Sequence, residues 1–215
     1  MIGATEAQVR MTSSVALESR PVRFAAIGDS WTAGVAGTGA PWPELVAREM
    51  RMELVTFASH GALTVEVLDD QLPAALATEP DMLSVLCGAN DVLASARMDV
   101  SEYAEMLDRM LAAARLARPQ ILLLTATVPD LTRFLAFRPR SRARKSPTFE
   151  EMNRRIREVA DRRGALSLNV ARHGYAAERA SYAADGFHPS AAGHRYMADA
   201  FAAMIAAARP EWDCA

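Results

Sequence analysis

Val22-Arg-Phe-Ala-Ala-Ile27, broken off by Gly28-Asp29-Ser30, is the stretch whose reading decides the fold. A short apolar run that stops at a glycine turn reads as a strand covered on both faces, and here the strand delivers a serine hydroxyl just past its end. The pattern returns at Met82–Cys87, which runs into Gly88-Ala89-Asn90-Asp91. Leu54–Ala58, Ile121–Ala126 and Ala165–Val170 are three further strand candidates, and Ile121–Ala126 (ILLLTA) has no polar face to offer water.

Helical patterns separate these runs. Pro43–Arg51 has helical spacing with proline near its start. Between Ser101 and Ala117, Tyr103, Met106, Leu107, Met110, Leu111 and Ala114 recur at intervals of one turn, and Pro119 ends the pattern. A helix is expected from Ser146-Pro147 to Arg163, with Gly164 as its stop, and a last one over Ala191–Ala208. Strands alternating with helices imply an α/β fold, a three-layer α/β/α sandwich around a five-stranded parallel sheet, flavodoxin-like in layout. No repeat or linker divides the chain, so residues 21–215 are expected to form one domain behind a loosely ordered tail, residues 1–20. In such a sheet ligands bind beyond the carboxyl ends of the strands. Gly28-Asp29-Ser30 and Gly88-Ala89-Asn90-Asp91 therefore belong on one edge.

The bulk chemistry excludes several classes. The 215 residues are 51% hydrophobic and 23% charged, and the formal net charge is −2. Nothing in that balance favours nucleic acid or an anionic membrane as a global partner. The first twenty residues lack the apolar stretch of a signal peptide, being interrupted by Glu6, Arg10 and Glu18, with Met11 an alternative start. No run approaches a membrane span. The expected location is cytoplasmic, and the oligomeric state is left open. Two cysteines do not make a disulfide framework: Cys87 reads as a core thiol, and Cys214 is the last residue but one.

Four spaced blocks carry the chemistry: Gly28-Asp29-Ser30-Trp31-Thr32-Ala33-Gly34, Ser59-His60-Gly61-Ala62, Gly88-Ala89-Asn90-Asp91 and Asp185-Gly186-Phe187-His188-Pro189. In this order they resemble the SGNH hydrolases, also called GDSL esterases and lipases. The resemblance spans Ile27 to Ser190. It departs from the family at the second block, where Ala58-Ser59-His60 stands in place of the asparagine that family members often carry before the glycine.

The residues support the same chemistry without the family name. A serine hydroxyl becomes nucleophilic only when a base takes its proton. A histidine such as His188 is the side chain suited to do so, since imidazole exchanges a proton near neutral pH. Asp185, three residues earlier, can reach the other ring nitrogen from one tight turn, the orienting role acids play in other triads. The resemblance assigns the oxyanion hole to the backbone N–H of Ser30, the backbone N–H of Gly61 and the side-chain amide of Asn90. The expected function is hydrolysis of a carboxylic ester with a short acyl chain, through an acyl-enzyme on Ser30. Two other readings use the same residues. An acyltransferase would pass the acyl group to an alcohol or amine, and a non-catalytic binding module would tolerate loss of nucleophile or base, both of which are present.

Arg133–Lys145 (RFLAFRPRSRARK) holds five arginines and a lysine with no acid. It reads as a solvated surface loop or as a substrate-facing lid that contacts anions, with Phe134, Leu135 and Phe137 forming an apolar face. Trp31, His60, Arg138, Arg140 and Arg142 are accordingly candidate substrate-contacting residues. His194 falls inside the last helix, and His173 has no partner at metal-ligand spacing. No metal and no cofactor is expected. Gly34–Gly39 is rich in glycine but lacks the lysine of a phosphate-binding loop, so it reads as a mobile loop beside the nucleophile.

Overall fold

The computed structural model describes residues 20–35 and 37–212, and of Tyr175 the backbone alone. The expected N-terminal tail, apart from Arg20, and Cys214 lie outside the described residues. Five strands form the sheet: β1 (Arg23–Gly28), β2 (Glu53–Thr56), β3 (Met82–Leu86), β4 (Leu122–Ala126) and β5 (Leu166–Leu168). All pairs are parallel in the order β2-β1-β3-β4-β5, which is the expected flavodoxin-like layout. The helices are α1 (Ser30–Ala33), α2 (Trp42–Glu49), α3 (Thr64–Glu66), α4 (Leu72–Ala77), α5 (Ala89–Ala94), α6 (Val100–Ala117), α7 (Pro139–Arg163) and α8 (Ala191–Ala208).

The strand burial explains the sequence pattern. β3 and β4 are buried at every residue and β1 at every residue after Arg23, because helices cover both faces. The α2–α8 pair packs through Trp42, which stacks on Phe201 at 4.5 Å and tilts against Phe24 at 6.1 Å. The other helical pair is α6 with α7. The chain order reverses at β1, so the crevice between the ends of β1 and β3 is the place where this topology opens a site. Ser30 follows β1 there, and Asn90 follows β3.

Two stretches differ from expectation. α7 starts at Pro139 rather than at Ser146, so most of the basic segment is helix and not loop. Pro139 stands in the first turn, where the missing N–H has no intrahelical use, while Pro147 is a second proline inside the helix. Ser146 does not cap; its Oγ donates to Asp130 Oδ2 at 2.5 Å. The second stretch is Thr64–Ala77, helical where no helix is expected. A π-helical turn, Val67–Gln71, joins α3 to α4.

Candidate active site

β1 ends in a close approach that only glycine permits. Gly28 has φ +143°, and a Cβ there would stand 2.0 Å from the carbonyl oxygen of Leu86 on β3. Directly after it Asp29 caps α1, accepting the Trp31 N–H at 2.9 Å. Ser30 is thus the first residue of a helix, where a backbone N–H has no carbonyl one turn back. Burial raises the Asp29 carboxyl to about 7 against the bond from Trp31, with a smaller push from Asp91. Ser30 is itself buried.

Asp185 and His188 come from one loop between Tyr182 and Pro189, which pair across an isolated antiparallel bridge. His188 Nε2 lies 3.0 Å from Ser30 Oγ, and its Nδ1 lies 2.6 Å from Asp185 Oδ2. The other carboxylate oxygen, Oδ1, accepts the N–H groups of Phe187 at 2.8 Å and His188 at 3.0 Å. Partial burial works to raise the Asp185 carboxyl, but the bonds from the His188 ring and from these two N–H groups outweigh it and hold it below its ordinary value. The side chains of Asp185 and His188 are 46% and 20% exposed, so water reaches the pair. Arg179 braces the loop from beneath, donating to the carbonyls of Tyr182, Ala183 and Ala184.

The second and third blocks are bonded to each other. Asn90 Nδ2 donates to the Ala62 carbonyl at 3.0 Å, which leaves the amide its second N–H. Asp91 accepts the N–H of Thr64 at 3.2 Å and its hydroxyl at 3.0 Å. Gly61 has φ +77° with open space where a Cβ would stand, so backbone conformation and not crowding calls for glycine there. His60 faces back to α1, with Nε2 2.6 Å from the Gly34 carbonyl. Gly34 N–H in turn donates to Ser30 O at 2.9 Å. Trp31 is buried, edge-on to Tyr182 at 6.3 Å, and Tyr182 meets Phe134 at 4.9 Å.

Sequence reading missed two residues that hold this frame. Gln71, on the π-helical turn, accepts the Gly28 N–H at 2.8 Å and donates to the Gly28 carbonyl at 3.1 Å and to Ser59 Oγ at 3.2 Å. It therefore ties the first block to the second. Lys145 is buried, and its Nζ donates to the carbonyls of Val92 at 2.5 Å, Leu93 at 2.9 Å and Ser95 at 3.0 Å. An ammonium thus closes the end of α5, the short helix that carries Asn90. A glutamine in a helical run and a lysine in a basic run are ordinary on paper, and nothing in either local pattern marks them.

The remaining candidates separate. Arg138, Arg140 and Arg142 are exposed around the start of α7. His173 stacks on Tyr196 at 4.4 Å. His194 is buried, and burial, with the His188 charge second, lowers it to about 4. Among the described residues no cluster of His, Cys, Asp and Glu is suited to a metal ion, and no helix is long and apolar enough to cross a membrane. The described part of the Gly34–Gly39 loop is a bonded turn, Thr38 N–H donating to Val35 O at 3.1 Å.

The model of the GDSL-like Lipase/Acylhydrolase family matches residues 26–196, a span that starts in β1 before Ser30 and ends in α8 beyond His188. The chain belongs to this family. It is a carboxylic ester hydrolase by class. The fold is shared with solved structures of low identity. A lipase/acylhydrolase from Enterococcus faecalis is 20% identical, with a TM-score of 0.70 over 86% of this chain and 95% of its own. An acetylxylan esterase from Geobacillus stearothermophilus, solved as a catalytic mutant, is 19% identical, with a TM-score of 0.67 over 84% and 92%. An alpha/beta hydrolase from the metagenome of Lake Arreo, Spain, is 21% identical, with a TM-score of 0.67 over 85% and 94%. No curated protein matches the chain in sequence.

Proposed function

We propose that the chain is a serine esterase that cleaves small carboxylic esters through an acyl-enzyme on Ser30. The observation that carries this reading is the unbroken path from Ser30 Oγ through both nitrogens of His188 to Asp185, at 3.0 and 2.6 Å. His188 takes the Ser30 proton as Oγ bonds to the ester carbonyl carbon. The bond to the alcohol oxygen then breaks, and the alcohol leaves with that proton. Water, deprotonated by the same imidazole, attacks the acyl-enzyme, and Ser30 regains its proton as the carboxylic acid departs. Asp185 stays ionised throughout and stabilises the imidazolium.

Charge on the tetrahedral oxygen is met by the Ser30 N–H, the Gly61 N–H and the second N–H of Asn90. Each such donor contributes about 3 kcal/mol to the transition state. Hydrolysis is favoured over transfer to another acceptor by the exposure of His188 and Asp185, which a transferase would have to shield. Acetyl esters are the first to try, as the acetylxylan esterase shares the fold.

A series of p-nitrophenyl esters from acetate to decanoate, assayed with the wild type and Ser30→Ala, tests the proposal. The expected result is hydrolysis falling with chain length and lost at least 10³-fold in Ser30→Ala. Ordinary turnover by Ser30→Ala would sink the mechanism.

A further inference from the structure

The geometry points to a substrate that carries its own negative charge, drawn to Ser30 by the unpaired arginines at the start of α7. This rests on the esterase reading and names the substrate class of the same site.

Residues 131–149 contain six of the chain's 24 lysines and arginines and none of its 26 acids. Lys145 is spent inside, on α5. Arg133, Arg138, Arg140, Arg142 and Arg144 are all exposed, and among the described residues none has a carboxylate partner. Local physics opposes this arrangement. Arg138 and Arg142, and Arg140 and Arg144, stand four residues apart, where like charges repel, and at the helix end where the backbone dipole disfavours cations. Among the described residues no carboxylate offsets that cost. Local conflicts of this kind concentrate at functional sites.

The segment also frames the site. It follows β4 on the same sheet edge as Ser30 and Asn90. At one end Phe134 lies over the loop that carries the base: its carbonyl oxygen is 3.0 Å from where a Gly186 Cβ would stand, and its ring meets Tyr182. At the other end Lys145 grips the helix of Asn90. The segment that carries the arginines is therefore anchored at one end on the loop of His188 and at the other on the helix of Asn90. They are spread around the helix rather than converged on one point, which suits long-range steering of an anion more than a single chelating pocket. Single-sign fields of this kind raise on-rates by about 10- to 10³-fold and fade with salt.

The test compares 4-acetoxybenzoate, an anionic ester, with its neutral methyl ester, in the wild type and in the double variant Arg140→Glu/Arg144→Glu. The quantity read is the ratio of kcat/KM for the two esters, divided between enzymes so that intrinsic ester reactivity cancels. The wild type is expected to show a ratio at least about 10-fold higher than the variant at 10 mM salt, shrinking as salt rises to 0.2 M. Hydrolysis of the methyl ester should be retained in the variant, which separates failure of this inference from failure of the esterase mechanism. If the wild type turns over neither ester, calorimetric titration of Ser30→Ala with both reads the same preference without turnover. Equal ratios, or equal affinities in that titration, overturn the proposal. So does loss of binding to phosphatidylglycerol vesicles in the double variant with unchanged ester ratios, which would make the segment a membrane contact.

Discussion

The two ends of α7 use the same residue type under opposite conditions. Toward its C-terminus, Arg154 pairs with Glu151 and Glu158, and Arg162 and Arg163 converge on Asp108 of α6. Toward its N-terminus, Arg138, Arg140, Arg142 and Arg144 have no such partner among the described residues, and Lys145, which has none either, is turned inward onto backbone carbonyls. The paired end docks one helix on another. The unpaired end lies between Phe134, against the loop of His188, and Lys145, on the helix of Asn90. Partnership, more than residue type, separates charges that hold the fold from charges left for something outside it, and each substitution below pushes on that distinction.

Lys145 should give the largest effect, since it belongs to the basic run by sequence and to the interior by structure. Lys145→Met removes the donor from three carbonyls and keeps most of the apolar stem. Charge-assisted bonds and the carbonyls left bare predict a loss of about 2–4 kcal/mol, read by urea denaturation. Activity measured well below the new melting temperature should fall in kcat more than in KM, because α5 carries Asn90. A stable variant with normal kcat would place Lys145 with its free neighbours.

Gln71 extends the contrast to an uncharged group whose partners are all internal. Gln71→Leu keeps the volume and drops three bonds, two of them to Gly28, two residues before Ser30. The expected outcome is a fall in kcat of about 10- to 100-fold with KM little changed, the signature of a transition-state donor out of place. Gln71→Glu, which can still accept the Gly28 N–H, should recover part of it. Loss of stability with kcat intact would make the clamp a matter of folding alone.

His194 is the buried counterpart of the free arginines: among the described residues neither ring nitrogen has a partner. Burial and then His188 lower it to about 4, whereas the unfolded chain binds that proton near pH 6.5. Its contribution to stability is complete above about pH 6.5 and is lost as the pH falls through 4. His194→Leu should therefore unfold at a lower pH than the wild type, by about half a unit or more in an acid titration followed by circular dichroism. An unchanged acid midpoint would mean that the ring is hydrated in solution.

Legibility in the sequence followed the same line. β1, β3 and β4 read correctly because strands buried on both faces leave unbroken apolar runs, and α8 because Ser190 caps it and its apolar spacing is regular. The start of α7 did not, since Ser146-Pro147 imitates a helix start and the true first turn, Pro139 onward, has no apolar stripe to show its period. Thr64–Ala77 was hidden by a π-helical turn that shifts the phase and by Pro73. Ser30, Asp185 and His188, which the structure bonds to one another, and Asn90 could be singled out in the sequence because each sits in a short local pattern. Gln71 could not, because it bonds to the backbone of Gly28, and a bond to main chain makes no demand on the partner's side chain.

Asp108 gives the smallest expected effect and the sharpest check on position. Asp108→Asn frees Arg162 and Arg163, adding two unpaired arginines at the far end of the same helix. Exposed pairs are screened and weak, so the melting temperature should fall by no more than about 4 °C. Arg140 and Arg162 are separated by about 33 Å of helix at 1.5 Å per residue, about one Debye length at 10 mM salt and about three at 0.1 M. The ratio of kcat/KM for 4-acetoxybenzoate over its methyl ester, read at 0.1 M salt, should therefore stay at the wild-type value, although the protein is one unit more positive. A rise in that ratio as large as the fall in Arg140→Glu/Arg144→Glu would show that net charge, and not the placement of the free arginines at the start of α7, governs which ester reaches the site.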